Sequence, residues 1–105
     1  MDNKAEATPE LLKSEHFEPH IGKVFHFRGT RYAFPLDHIS IDRQELPSWV
    51  PRRPFILIFR GPKERDVLPE GLYTCDIESG PSHDIYVAPM LTPEPDRQYY
   101  QAIFN

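Results

Sequence analysis

The stretch that decides the fold is Pro54-Phe55-Ile56-Leu57-Ile58-Phe59-Arg60-Gly61-Pro62. Five consecutive apolar residues, Phe55 to Phe59, put hydrophobic groups on both faces of an extended chain. That pattern predicts a central strand with cover on each side. Pro54 at one end and Gly61-Pro62 at the other leave the run too short for a helix. Phe55, Leu57 and Phe59 alternate toward one face and are assigned structural roles.

Toward the C-terminus the period stays at two. Lys63 to Glu70 is a charged loop that leads through Leu68-Pro69 to Gly71. Leu72 to Ile77 reads as a strand with Tyr73, Cys75 and Ile77 on one face. Ser79-Gly80-Pro81-Ser82 is a turn, and Asp84 to Met90 the next strand. Thr92 to Asp96 is a polar turn. Gln98 to Phe104 closes the chain with Tyr100, Ala102 and Phe104 on one face. Short loops join these last four strands, which predicts an antiparallel meander.

Toward the N-terminus, Gln44 to Pro54 is an irregular crossing loop with three prolines and Trp49 as its expected plug. Tyr32 to Asp42 reads as a strand, preceded by a turn at Arg28-Gly29-Thr30-Arg31 and a strand over Lys23 to Phe27. Tyr32, Phe34 and Leu36 share one parity; Ile39 and Ile41 share the other. A bulge near Asp37-His38 would bring both sets to one side. Pro35 cannot donate to a ladder, so this strand is expected to be an edge or to be locally unpaired. Thr8-Pro9-Glu10 has the signature of a helix start, and Ser14 suits a short turn over Glu15 to Phe17. Phe17, Ile21 and Phe25 are the expected anchors of the entry segment. The reading is a flexible tail and short helical start over residues 1–13, then a single β domain over residues 14–105. Its class is mostly β, a small antiparallel barrel or rolled sandwich of about six strands with a short N-terminal helix.

Twelve prolines in 105 residues exclude a helical bundle, because each interior proline costs about 3 kcal/mol. Their positions also argue against disorder, since most fall between the proposed strands. Net charge is -4, which disfavours general nucleic-acid binding. The excess is local: residues 1–70 hold eleven acids and eleven bases, whereas residues 71–105 hold five acids and one base, Arg97. A single cysteine rules out an internal disulfide framework. No stretch reaches the ~20 apolar residues of a membrane helix, and MDNKAEATPE has no apolar core of a signal peptide. The default compartment is therefore cytoplasmic, with leaderless association with a larger particle as the other route.

No residue set assembles into a catalytic centre. His16 and His20 are four apart, but Pro19 between them breaks the helical geometry a metal pair needs. Cys75 alternates with Tyr73 and Ile77 as a buried hydrophobe would, and Asp76 opposes a reactive thiolate. Ser40, His38 and Asp42 lie too close along one strand to converge as a triad. There is no phosphate loop and no dinucleotide fingerprint. No catalytic residue, cofactor or metal is expected. Arg52, Arg53, Arg60, Lys63 and Arg65 form the one basic concentration, bracketing the central strand. Glu64, Asp66 and Glu70 are interleaved with them and offer mutual pairing. Arg60 is read as pinning the Gly61-Pro62 turn through carbonyls. Tyr86, Tyr99 and Ile103 are the candidates for an outward contact patch.

Several of these residues form a familiar pattern: Arg53-Pro54-Phe55, Leu57, Phe59-Arg60-Gly61-Pro62, Leu68-Pro69 with Gly71 and Tyr73, then Tyr100 with Ala102-Ile103-Phe104-Asn105. With Phe17, Gly22 and Phe25, the chain resembles a family of small bacterial proteins known only as a domain of unknown function. The resemblance spans about residues 14–105. It implies one mostly-β domain and carries no activity or cofactor. Such proteins are associated with phage tail-collar-like and tail-fibre-like genes. The expected function is thus a non-catalytic interaction or assembly module with a protein partner, such as a tail-collar-like or fibre-like protein. Neither nucleic acid nor membrane is expected as a partner, and the oligomeric state is left open. The alternative is a small-ligand-binding barrel with an arginine fixing an anionic group.

Overall fold

The computed structural model describes residues 11–105. Six strands make up the fold: β1 (Val24–Phe27), β2 (Ala33–Ile41), β3 (Phe55–Pro62), β4 (Gly71–Ile77), β5 (Ser82–Pro89) and β6 (Arg97–Phe104). All pairings are antiparallel, and the order β1-β2-β3-β6-β5-β4 closes into a barrel. Two 3-10 turns, Ser14–His16 and Glu18–His20, lead into β1. The mostly-β barrel with a short helical start is the class the alternation implies. The Thr8-Pro9-Glu10 helix start lies outside the described residues, while Leu11 to Lys13 are irregular.

The predicted bulge is present: Leu36 is in register with Phe59 but His38 with Ile58, a shift of one residue. Phe34 and Leu36 are fully inside, and Ile39 and Ile41 pack on the same core from beyond the bulge.

β3 is central to its sheet, pairing with β2 and β6 along its length. Phe55, Leu57, Phe59 and Gly61 face the lumen. On the outer face Ile58 is buried between its register neighbours His38 and Gln101, while Ile56 is half-buried.

Two expectations of organisation are corrected. The last four strands do not run as one meander. β3 pairs with β6 rather than β4, because closing the barrel gives the second edge of β4 to β1. The β3–β4 connection instead reaches inward: Leu68 is fully buried and its N–H donates to Tyr100 Oη at 3.2 Å. β2 is locally unpaired toward β3 over its first residues, as the proline allowed. Pro35 is in register with Val24 of β1, and the β3 register begins only at Leu36. The missing N–H of Pro35 thus coincides with the end of the β3 ladder. Finally, Ile21 is 47% exposed and anchors nothing. Phe17 alone fills the lower opening, its ring centroid 6.5 Å from Phe25, 6.0 Å from Phe55 and 5.6 Å from Phe104.

The interior is filled by rings. Phe25, Phe27 and Phe59 meet edge to face, and Phe34 stacks on Tyr100 at 4.5 Å. That stack requires Gly61, since a Cβ there would lie 2.6 Å from Phe34 Cε1.

Candidate functional site

The segment between β2 and β3 crosses the lower end of the barrel. Its base is closed by the Asp42 N–H donating to Pro54 O at 3.0 Å, and its middle turns where the Val50 N–H donates to Pro47 O. Two arginines then lock it. Arg53 Nη1 donates to Asp42 O at 2.8 Å and to Gln44 O at 2.6 Å. Arg52 donates to Leu12 O and Asn105 O, both at 2.7 Å, and its guanidinium lies 5.4 Å over the Phe104 ring. Both side chains use their donors on backbone carbonyls, the role foreseen for Arg60.

At the crown of this braced loop Trp49 is 79% exposed. It is not the plug its size suggested. Phe17 already fills the opening beneath, so no hole remains for the indole. The sequence signal was present in another form: Pro47, Pro51 and Pro54 with two arginines give a loop with scant apolar surface of its own.

Arg60 pairs with Asp37 at 3.3 Å, and Asp37 also contacts His38 Nδ1 at 2.8 Å. Gly61 and Pro62 are not a turn but the last residues of β3, in register with Gln98 and Arg97. The charged loop after β3 does not pair within itself as foreseen for Glu64 and Glu70. Glu64 is taken by Arg31 at 3.3 Å, and Glu70 accepts the Tyr86 hydroxyl. That hydrogen bond to a carboxylate raises the Tyr86 pKa.

The three outward candidates are not register partners of one another. Tyr86 is opposite Leu72 of β4, whereas Tyr99 is opposite Arg60 of β3 and accepts from Arg97 Nη1 at 3.3 Å. Ile103, 53% exposed, lines a cleft of about 230 Å³ with Ile41, Pro54 and Ile56. A second cleft of about 330 Å³ lies between the entry turns and the crossing loop, lined by Lys13, Glu15, Glu18, Arg43, Arg52 and Arg53.

The residues given structural roles converge. Tyr73 Oη donates to Pro69 O at 2.6 Å beside Gly71, and Phe104 stacks on Phe55 at 4.6 Å. Cys75 is fully buried, and desolvation, with Asp76 and Asp84 nearby, pushes its thiol up to about 12. Asp76 is held down to about 2 by hydrogen bonds from Arg28 and Ser82. His16 accepts the Lys13 N–H on its Nδ1, and no group of three potential metal ligands occurs among the described residues. No helix among them is long and apolar enough to cross a membrane.

Geometry and chemistry together define a small closed antiparallel barrel with a ring-filled lumen and its polar features on the rim and outer face. The chain belongs to the family described as a domain of unknown function, DUF6916, which matches residues 12–104. No curated protein and no solved structure matches it.

Proposed function

We propose that this domain is a non-catalytic interaction module that docks through the crossing loop at its lower end. The observation that carries the reading is Trp49, the one tryptophan of the chain, exposed on a loop whose backbone is fixed by Arg52 and Arg53. Tryptophan is enriched among the residues that dominate binding energy. A loop braced before contact loses little entropy when it docks. The family resemblance points to a tail-collar-like or fibre-like protein as the partner. A ligand-binding barrel is the weaker reading, because rings occupy the lumen and the donors of Arg52 and Arg53 are committed to carbonyls.

Co-purification with the products of adjacent genes at native expression tests the reading. The native chain should retain a defined partner, and Trp49→Ala should release it while leaving the circular dichroism spectrum and the denaturation midpoint unchanged. A partner retained equally by Trp49→Ala would refute docking through this loop.

A further inference from the structure

The barrel closes unevenly. β5 meets β6 at Ala88↔Gln101 and Pro89↔Tyr100, and the Met90 N–H donates to Tyr99 O at 2.9 Å. The next rung along this ladder would be Tyr86 opposite Ile103, and it is not made. Below that point no register pair joins the two strands, which leaves a seam beside β5. Phe17 bridges the seam from inside, 5.4 Å from His83 of β5 and 5.6 Å from Phe104 of β6.

The parity of the hydrogen bonds shows which backbone groups face the seam. The Ile77 N–H donates to Pro81 O, so the odd residues His83, Ile85 and Val87 direct their backbone groups to β4. Ser82, Asp84 and Tyr86 therefore direct theirs toward β6, where the ladder has stopped. All three are exposed, as is Ile103 across the seam. Among the described residues no register pair joins these three to β6.

An unpaired edge is a template for an added strand unless it is blunted. The half-open stretch Asp37–Ile41 of β2 begins at a bulge. Between Pro81 and Pro89 the seam edge has neither bulge nor proline nor lysine.

We propose that this seam accepts an extended segment of a partner protein, added as a strand along Ser82–Tyr86 and carrying basic side chains outward. Charge selects the occupant. Asp84 stands outward at the middle of the edge, with Thr74 Oγ1 donating to its Oδ1 at 2.7 Å. Glu70 lies alongside, bound to Tyr86. A second copy of this chain is disfavoured: antiparallel pairing of Ser82–Tyr86 with itself sets Asp84 opposite Asp84, and like charges directly opposite repel. Lysine or arginine at that position would meet a carboxylate, and apolar residues of the segment would point inward over Phe17.

Amide hydrogen exchange of the full chain by NMR tests this with two end-blocked peptides of about six residues, the usual strand length. One alternates lysine and valine, the other glutamate and valine. The lysine peptide should slow exchange at Asp84, Tyr86 and Ile103 by about tenfold at saturation. The glutamate peptide should not, Asp84→Lys should invert that preference, and the milder Asp84→Asn should weaken it. Slowing by both peptides alike, slowing at another edge, or no slowing would overturn the proposal. So would strong protection of these amides in the free chain, because the seam would then be filled already. Trp49→Ala should leave peptide binding intact, which separates a failure here from a failure of docking through the crossing loop.

Discussion

Gly61 shows how one atom sets the packing of the upper barrel. Its missing side chain lets the Phe34 ring lie against β3 and stack on Tyr100, whose hydroxyl accepts the Leu68 N–H. Gly61→Ala places a methyl 2.6 Å from that ring and should destabilise by about 1–3 kcal/mol, the usual cost of overpacking. Urea denaturation measures it, and Phe34→Leu in the same chain should recover part of the loss. Cys75 offers a second test. Its thiol is neutral in the folded state up to about 12, whereas an unfolded thiol ionises near 8.5. The folded state therefore keeps a proton that the unfolded state has lost. Stability from this group is full below pH ~8.5 and falls as pH rises toward 12. Cys75→Ala should lower stability at neutral pH yet flatten its decline across that window, followed by denaturation midpoints at several pH values.

Among the elements, the entry segment and the crossing loop divide their labour. Phe17→Ala removes the ring that touches Phe25, Phe55 and Phe104, and should cost about 3–5 kcal/mol by chemical denaturation. Arg53→Ala should affect stability far less but free the loop between Asp42 and Pro54, read as faster proteolytic cleavage there. The strands were legible from sequence because alternation and proline placement report local geometry, and the shift of parity across Asp37-His38 even gave the bulge. The crossing loop was not legible. Trp49 alone says that a large apolar ring needs a place, and only three-dimensional packing shows that Phe17 has taken it. Arg60 and Arg52 look alike in sequence as well. What separates them is that Asp37 lies beside Arg60 while open carbonyls lie beside Arg52.

The molecule as a whole is knit by pairings distant in sequence. Phe25 is in register with Ile77, and Phe55 with Phe104, each some fifty residues apart along the chain. Loops of that length must close before the contacts reward them. Refolding should accordingly take milliseconds to seconds rather than microseconds, which stopped-flow circular dichroism will read. This topology also explains why strand order was harder to foresee than strand position. A meander satisfies neighbours in sequence, but six strands around one core must join first to last half. Phe17 and Leu68, both outside the strands, complete the job by stoppering a core that the strands only surround.

The outward Trp49 has a consequence for how this protein can be watched. A tryptophan already in water emits at long wavelength in the native state, so its fluorescence should change little when the barrel unfolds. The core rings are phenylalanine and tyrosine, which emit weakly and at shorter wavelength. A denaturation curve followed by tryptophan emission would describe a stable protein as one that never melts. The same indole is dark to the core and bright to the surface: a blue shift would mark the arrival of a partner at the crossing loop and leave the barrel out of the record.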